Sequence, residues 1–437
     1  MSSLAERLRG VIRPAAGARV NGHEEGSCTD NRGGRLQAAH EAAADVLDGE
    51  WRESGGQRFL VIDRKYSPGY RHGHTAIADS LPSSDGTWSR VALLAAPSTP
   101  LRAGPSTPLR TGRMLFVDLE TTGLAGGAGS YAFLVGCAWF EGAVFRVRQF
   151  FLSSFAAERV LLQAVAEAAD ACGTVVTYNG KSFDLPLMET RYVMHRMETP
   201  FAGMPHVDML HPARRLWRND EEQDGCRLSV LEETLCGHTR EGDVPGFEIP
   251  SRYFHYVRSG DARGLVAVME HNRLDLLSLA MLTARASQLL AEGAAGARTV
   301  REALGLGRLY ERAGLTCEAL QAFERAIEMP GGDTATRADA LRAYAALSRR
   351  ERRYEQAAAA WRRILELRRC PAQIVREATD ALAVHHEHRL RDPRSARSFA
   401  LQSLTLTATP SRQQAVQHRL ARLNRKLGEA QGAIPLF

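Results

Sequence analysis

Three apolar runs joined by short connections, at residues 114–117, 131–140 and 144–152, constrain the fold of this chain most strongly. Each run has the length and composition of a buried strand, and the third partly alternates between apolar and polar residues. A helical pattern at 156–171 and a fourth strand at 174–178 follow. The order continues as α-β-α, which predicts a mixed sheet with helices on its faces.

An exact duplication precedes this block. The letters Pro-Ser-Thr-Pro-Leu-Arg occur at 97–102 and again at 105–110. Repeated prolines restrict the backbone and such a composition cannot build a core. We therefore predict a linker at 97–111, between an N-terminal region of unknown role at 1–96 and an α/β domain at 112–290.

The N-terminal region gives weaker signals. Its pattern predicts a helix at 35–47 and short strands at 59–63 and 90–94. His72 and His74 form an HxH pair, for which the sequence offers no third metal ligand. We interpret this pair as part of a polar turn.

The pattern from residue 299 onward is helical throughout, and it repeats. An alanine recurs at a spacing of 38 and then 39 residues, and each is followed four residues later by Phe, Trp or Ala: Ala319, Ala357, Ala396, Phe323, Trp361, Ala400. The segment 310–327 resembles a tetratricopeptide repeat, in which small residues allow two helices to approach. We predict a tetratricopeptide-like domain at 299–428.

Composition excludes several classes of protein. Hydrophobic residues make up 44% and charged residues 24% of the chain, which is typical of a soluble protein. The sequence shows neither a secretory signal pattern nor an uninterrupted apolar run of about 18 residues, so we expect a cytoplasmic protein without membrane contact. The seven cysteines contain no Cys-x-x-Cys pair, which disfavours a disulfide framework and a cysteine zinc site.

Charge is unevenly distributed along the chain. The net charge of +6 comprises +2 for residues 1–112, −5 for residues 113–285 and +9 for residues 286–437. An acidic middle segment can supply carboxylates for metal ions, whereas a basic tail attracts a polyanion. We expect a nucleic acid, DNA or RNA, as the ligand, and the helical repeats as a surface for a protein partner.

Carboxylates stand at the ends of two predicted strands and on a later helix. Asp118 and Glu120 share one face of the first strand, because side chains alternate along a strand. Asp184 follows the fourth strand at the start of a helix. His271 and Asp275 lie one turn apart on one helix face.

Such a set of acids needs cations. Four unpaired carboxylates in one pocket repel each other, and two divalent hard cations would neutralise them. Oxygen ligands favour Mg²⁺ or Mn²⁺, and two such ions roughly 3.5–4 Å apart can align a water and a leaving oxygen on a phosphodiester. We predict that Asp118, Glu120, Asp184 and Asp275 bind two ions, and that His271 is the general base.

The same motifs carry a family resemblance. Five stretches contribute to it, at residues 126–136, 178–187, 211–217, 243–246 and 271–275. With the order Asp-x-Glu, Asn-x-x-x-Phe-Asp and His-x-x-x-Asp, the chain resembles the DEDD 3′–5′ exonuclease superfamily, and within it a bacterial YprB-like branch. The resemblance implies a ribonuclease H-like fold, exonuclease activity and a tetratricopeptide-like tail. One class of the superfamily places Tyr four residues before its last Asp and another places His five residues before it, whereas His271 stands four residues before Asp275.

Each motif taken singly also has an ordinary structural interpretation. Asp118 and Glu120 could be solvated acids in a turn, Asp184 a helix N-cap, and His271 a partly buried histidine. Asp208 is either a further metal ligand or a structural acid paired with Arg214 or Arg215.

Residues that flank the acids are candidates for contact with nucleic acid. This set consists of Thr121, Thr122, Gly123, Asn179 and Lys181. The alternative for Asn179 and Lys181 is a polar turn. Tyr178 and Phe183 could stack on a base or pack in the core.

The chain ends in an apolar peptide at 431–437, Gln-Gly-Ala-Ile-Pro-Leu-Phe. It resembles the peptides with which bacterial replication proteins bind the sliding clamp, although a tail packed on the last helix is the alternative.

Three functions stay open from sequence alone. The first is a metal-dependent 3′–5′ exonuclease, the second a ribonuclease H-type endonuclease, and the third a helical-repeat scaffold that binds nucleic acid or protein without catalysis.

Overall fold

The structure of the chain is a computed structural model. It describes residues 41–81, 90–95, 113–123, 129–218, 225–406 and 409–428. The predicted linker at 97–111 and the apolar peptide at 431–437 lie outside these ranges.

A mixed sheet of seven strands forms the centre of the α/β part, in the order β1-β2-β7-β6-β5-β8-β9. Its strands are β1 (Glu50–Ser54), β2 (Gln57–Tyr66), β5 (Arg113–Thr121), β6 (Ala132–Glu141), β7 (Val144–Phe151), β8 (Cys172–Thr177) and β9 (His206–Asp208). Strand β5 pairs antiparallel with β6 and parallel with β8. The predicted sheet is confirmed.

Helices cover both faces of this sheet. Along the chain they are α1 (Ala43–Leu47), α2 (Ala92–Ala95), α3 (Glu158–Asp170), α4 (Asp184–Met194), α5 (Leu210–Leu216), α6 (Leu228–Cys236), α7 (Ile249–Ser259) and α8 (Val266–Glu292). The strand predicted at 90–94 is wrong, because residues 92–95 form helix α2. The prediction failed because a run of four apolar residues is compatible with a short buried helix as well as with a strand.

Alternation along β5 divides the core into two layers. Leu115 and Val117 pack with helices α3, α4 and α7 on one face of the sheet. Phe116 points to the other face, where it packs with α5, α6 and most of α8. Asp118 and Glu120 continue the alternation to the end of the strand, so both carboxylates emerge at one edge of the sheet.

Residues ahead of the predicted linker belong to the same sheet. Strand β2 contains the strand predicted at 59–63 and pairs antiparallel with β7, with Leu60 opposite Phe151. A small hairpin of β3 (Arg71–His72) and β4 (Thr75–Ala76) follows. His72 is buried rather than part of a polar turn, because residues from helix α6 and the loop after it surround its imidazole.

Helix α8 is the longest helix in the described ranges, and much of it is apolar. Together with its flanking turns, Arg263–Gly296 is long and apolar enough to cross a membrane by composition. In its most apolar window 72% is buried within the protein, which is the pattern of a helix that packs in a protein core. Helix α8 packs across β5, β6 and β7 and thereby carries its polar residues to the edge of the sheet.

The remaining described chain is helical, as predicted. Its helices are α9 (Val300–Arg312), α10 (Thr316–Glu328), α11 (Thr334–Arg350), α12 (Tyr354–Glu366), α13 (Ala372–His388), α14 (Pro393–Thr405) and α15 (Pro410–Lys426). The repeating alanines are buried at the matching position of α10, α12 and α14. Consecutive helices pack in pairs, and α9 packs on α5 of the α/β part. The tetratricopeptide assignment stays an interpretation of this helical array.

Among the described residues, six cysteines are free thiols. Cys137, Cys172 and Cys236 are buried, and Cys317 is exposed. Cys28 lies outside the described ranges.

Candidate metal centre

The structure brings four acidic side chains together at one edge of the sheet. Asp118 and Glu120 come from the end of β5, Asp184 from the first residue of α4, and Asp275 from the middle of α8. Strands β5 and β8 are parallel, so the loop after β8 delivers Asp184 to the edge where β5 ends. Asp118 is close enough to the other three carboxylates for the charge of each to act on it, so the four form one cluster.

Burial and mutual repulsion make this cluster unfavourable in its ionised form. Removal from water, followed by the charges of Asp275 and Glu120, raises the pKa of Asp118 well above its ordinary value. Burial and the charges of Asp275 and Asp184 raise the pKa of Glu120 in the same way. The cluster therefore favours either protons or cations.

The pKa of Asp184 is subject to opposing influences. Burial raises its pKa to about 7, although a hydrogen bond from its own backbone and one from Leu119 act in the opposite direction. It is not a helix N-cap, because Phe183 occupies the cap position and Asp184 is the first helical residue. A carboxylate in the first turn interacts favourably with the helix dipole.

Asp275 is held by an arginine. The Nη2 atom of Arg240 lies 2.5 Å from Asp275 Oδ1, and the Arg240 side chain is 5% exposed. Arg240 also donates from Nε to Glu232 Oε2 at 2.5 Å. One oxygen of Asp275 is thereby engaged, and its Oδ2 faces His271.

His271 is oriented by an acid that the sequence analysis missed. Its Nδ1 lies 2.6 Å from Asp243 Oδ1, and its Nε2 lies 3.6 Å from Asp275 Oδ2. A proton on Nδ1 is stabilised by the Asp243 carboxylate, which leaves Nε2 as the unprotonated nitrogen on the side of the acidic cluster. Asp243 is the first residue of the stretch 243–246 that contributed to the family resemblance. Its place in that stretch was the only sign in the sequence that it belongs to the site.

An amide network holds Asp118 in place. Asn272 donates from Nδ2 to Asp118 Oδ2 at 2.8 Å and to the Asp118 backbone carbonyl at 3.1 Å. Gln149 in turn donates to Asn272 Oδ1 at 2.9 Å, and Arg64 donates to Gln149 Oε1 at 3.1 Å. This chain of hydrogen bonds runs from β2 through β7 and α8 to the end of β5.

Gly136 makes this network possible. A Cβ atom at that position would lie 2.3 Å from Asn272 Oδ1. Glycine therefore lets α8 approach β6 closely enough for Asn272 to contact Asp118. The network itself had no sequence signal beyond a polar residue, Gln149, within an apolar strand.

A cavity of about 550 Å³ opens beside the acidic cluster. Glu120, Asp184 and His271 line it, together with Gly246 and the first two residues of α7. Phe183 is 56% exposed and also lines the cavity, and Phe247, next to the lining residue Gly246, is 73% exposed. Two exposed aromatic rings beside an acidic centre are suited to stacking on bases.

The threonines after Glu120 shape the loop. Thr121 donates to the carbonyl of Gly123 at 2.9 Å, and the hydroxyl of Thr122 accepts from the Tyr131 backbone at 2.9 Å. Thr121 and Gly123 line the cavity. Their predicted contact with nucleic acid stays a prediction.

Asp208 organises the loop that precedes Asp184. It is buried and accepts from the backbone of Asn179 at 2.7 Å, of Lys181 at 3.0 Å and of Leu210 at 3.1 Å. This structural role replaces the predicted pairing with Arg214 or Arg215. Asn179 takes a left-handed backbone conformation with φ of 68°, and Lys181 projects from the loop as an exposed side chain.

Tyr178 does not share the exposure of Phe183. It is partly buried, and its hydroxyl donates to the carbonyl of Cys226. Of the two aromatic candidates for stacking, Phe183 is therefore the accessible one.

Comparison with known proteins agrees with this architecture. A family model described as the RNase H superfamily matches residues 115–287, which contain all four acids. YprB of Bacillus subtilis (strain 168), a protein described as uncharacterized, is 30% identical over 390 residues, covering 86% of this chain and 90% of YprB. The chain belongs to the YprB family, within the RNase H superfamily. Its candidate site therefore lies inside the RNase H-like part of a YprB-family protein.

The donor set fits divalent cations. Carboxylates from three separate elements meet here, and the raised pKa values of Asp118, Glu120 and Asp184 indicate that the protein itself supplies these three with too little positive charge. Hard oxygen ligands of this kind suit Mg²⁺ or Mn²⁺. In this YprB-family chain Asp118, Glu120, Asp184 and Asp275 are the residues that would hold such ions.

Proposed function

We propose that this chain is a divalent-metal-dependent nuclease that removes nucleotides from the 3′ end of a nucleic acid strand. The observation that carries the proposal is the cluster of four carboxylates at the end of β5, with an imidazole beside it. Two bound Mg²⁺ or Mn²⁺ ions would supply the positive charge that stabilises the transition state of phosphodiester hydrolysis. The direction of degradation rests on the resemblance to the DEDD superfamily.

His271 is suited to move the proton. Asp243 accepts from Nδ1, so the unprotonated Nε2 can take a proton from the attacking water. Nε2 lies 3.6 Å from Asp275 Oδ2, beside the cluster at which metal ions would hold the attacking water. In this role Asp243 is a positioning residue and His271 the catalytic base.

The cavity supports an end-binding enzyme. A volume of about 550 Å³ suits one or two nucleotides of a single strand. Phe183 and Phe247 supply exposed rings at the cavity, and every base has a face on which an aromatic ring can stack. These contacts do not distinguish between bases, which is expected of an enzyme that degrades a strand without sequence preference.

Arginines continue from this site toward the helical repeats. A second cavity, of about 530 Å³, is lined by Arg214, Arg218 and Arg227 together with Asn179 from the loop before Asp184. Arg215 lies on the same helix, where burial and then the neighbouring Arg312 and Arg308 of α9 lower its pKa. Such a concentration of guanidinium groups favours phosphates, so we propose that the strand leaves the centre along this arginine surface.

The experiment that tests the function uses 5′-labelled single strands of DNA and of RNA, incubated with Mg²⁺ or Mn²⁺. We expect a ladder of products shortened one nucleotide at a time, loss of activity on chelation, and loss in Asp118→Asn and Asp275→Asn. Asp261→Asn, in an exposed loop pair with Arg263, serves as the matched control and should retain full activity.

Two alternatives give different results in the same assay. A ribonuclease H-type endonuclease would release internal fragments from a hybrid or an RNA strand. A scaffold without catalysis would release nothing with either metal while Asp118→Asn still bound the strand as tightly as the unaltered chain.

A further inference from the structure

A second group of metal-ligand side chains lies apart from the four carboxylates. His72 of the β3–β4 hairpin, Glu232 of α6 and His238 of the following loop place one ligand atom each within 4.8 Å of one another. His72 and Glu232 are buried, and the His238 side chain is 30% exposed. The three residues are brought together from positions about 160 residues apart in the sequence.

One contact inside this group is short but poorly aligned for a hydrogen bond. Nε2 of His72 lies 2.6 Å from the buried Oε1 of Glu232, and the contact lacks the angle of a normal hydrogen bond. Two ligand atoms of one tetrahedral Zn²⁺, each about 2 Å from the ion, lie roughly 3.3 Å apart, so the two side chains would separate slightly when an ion binds. The same Oε1 lies 4.0 Å from Nε2 of His238 and so faces both imidazoles.

Contacts between the β3–β4 hairpin and the end of α6 hold the three side chains in this arrangement. The backbone of His74 donates to the carbonyl of Cys236 at 2.7 Å, which fastens the hairpin to the end of α6. A Cβ atom on Gly73 would lie 2.0 Å from that same carbonyl, so glycine is required for the approach. The two imidazole rings then stack with centroids 4.2 Å apart.

Glu232 is also held in the orientation that a ligand needs. Its Oε2 accepts from Arg240 Nε at 2.5 Å, which leaves Oε1 for the ion. Metal-binding carboxylates are commonly fixed in this way by a hydrogen bond to the second oxygen. The hydroxyl of Ser278 lies 3.0 Å from His72 Nε2 and would have to rotate away when the ion binds.

We propose that His72, Glu232 and His238 form a site for Zn²⁺ or a transition metal of similar preference, distinct from the carboxylate centre. Two imidazoles and one carboxylate are a ligand set that zinc accepts, with its fourth position left to water on the exposed side of His238. Nε2 of His238 lies 4.0 Å from Glu232 Oε1, so a movement of this partly exposed ring by less than about 1 Å would bring all three donors within binding distance.

The site would attach the N-terminal hairpin to the nuclease-like domain. His72 belongs to the region ahead of the predicted linker, whereas Glu232 and His238 follow the carboxylate motifs at 118–184. Because Arg240 contacts both Glu232 and Asp275, an ion bound here would also fix the guanidinium that engages Asp275. The site does not depend on the proposed nuclease function.

Equilibrium dialysis against Zn²⁺, with millimolar Mg²⁺ present to occupy the carboxylate centre, tests the proposal. We expect one Zn²⁺ per chain in the unaltered protein and at least ten-fold weaker binding in His238→Gln. His255→Gln, a substitution of an exposed histidine on α7, is the matched control and should bind like the unaltered protein. Asp118→Asn should also bind normally even when nuclease activity is lost.

The outcomes separate this site from the carboxylate centre. Absence of Zn²⁺ binding by the folded protein, or equal binding by His238→Gln, would overturn the proposal. Weakened binding in Asp118→Asn with normal binding in His238→Gln would place the ion in the carboxylate centre and overturn it as well. X-ray absorption at the zinc edge of the unaltered protein gives an independent readout, for which we expect two imidazole ligands.

Discussion

Arg240 and Asp275 form an ion pair of 2.5 Å at the border of the acidic cluster. The same guanidinium binds Glu232, so one buried cation serves two acids that belong to different candidate sites. Burial alone would lower the pKa of Arg240, but these two carboxylates raise it above the ordinary value. The pair leaves the other three carboxylates of the cluster without a comparable protein cation among the contacts described.

Replacing Arg240 with Met should destabilise the protein strongly. The substitution leaves the buried Glu232 carboxylate and Asp275 without their guanidinium partner. Loss of one partner of a buried ion pair typically lowers the free energy of unfolding by about 3–5 kcal/mol. Unfolding in urea measures the change. Arg252→Met removes a partly exposed pair with Glu248 and should cost about 1 kcal/mol or less. Equal effects of the two substitutions would contradict the buried role of Arg240.

Stability of the metal-free protein should fall as the pH rises from about 4 to about 7. The folded pKa of Asp184 is raised to about 7, so the folded state holds a proton that the unfolded state has lost in this range. Ionisation then destabilises the folded state, and saturating Mn²⁺ should reverse the trend. Thermal unfolding across this range is the measurement.

Asp184→Asn is the control for this pH dependence. The substitution removes one titrating group, so its stability curve should be flatter than that of the unaltered chain and higher at neutral pH without metal. A steeper fall in the variant would contradict the electrostatic account of the cluster.

Asp243→Asn should lower kcat and leave KM nearly unchanged. The loss of the carboxylate removes the preference for a proton on His271 Nδ1 and so disturbs the base without altering the cavity. We expect a reduction of roughly 10–100-fold, smaller than the roughly 100–10,000-fold loss expected for His271→Ala. Steady-state kinetics on a short labelled strand distinguish the two, and full activity in His271→Ala would move the base elsewhere.

Asn272→Ala should weaken metal binding and reduce stability together. It removes the donor to Asp118 and leaves the buried amide of Gln149 with one acceptor fewer, which costs about 1–3 kcal/mol. Gln288→Ala, an exposed amide on the same helix, should alter neither property. Calorimetric titration with Mn²⁺ and urea unfolding report the two effects, and unchanged Mn²⁺ affinity would contradict the role given to Asn272.

Arg214→Ala combined with Arg227→Ala should weaken binding of long strands more than of dinucleotides. Each lost phosphate contact lowers the slope of log affinity against log salt by about 0.7 for a single strand. The matched control is the pair Arg349→Ala and Arg412→Ala, two exposed arginines of the helical array. If both double variants lost the same affinity for long strands, net charge alone would explain the effect, and the proposed arginine surface would be contradicted.

The sequence predicted those parts of the fold that depend on local pattern. Strand alternation predicted the shared face of Asp118 and Glu120, and helical spacing predicted the shared face of His271 and Asp275; the structure has both. The spacing of Ala319, Ala357 and Ala396 likewise predicted equivalent positions in consecutive helix pairs, where all three are buried.

The parts that were missed depend on contacts between distant segments. No periodicity reveals that β2 pairs with β7, or that Gln149 contacts Asn272. His72 was interpreted as a turn residue because its partners Glu232 and His238 come from elements whose packing a single sequence does not define. Asp208 was predicted to be a metal ligand or a partner of Arg214 or Arg215, whereas it accepts from two backbone amides of the loop before Asp184 and from that of Leu210 at the start of α5.

The most direct test of the account is anomalous diffraction from crystals of the protein soaked in Mn²⁺. We predict two peaks, about 3.5–4 Å apart, in contact with the carboxylates of Asp118, Glu120, Asp184 and Asp275. A well-ordered site with no anomalous peak, or with peaks only away from these four side chains, would contradict it.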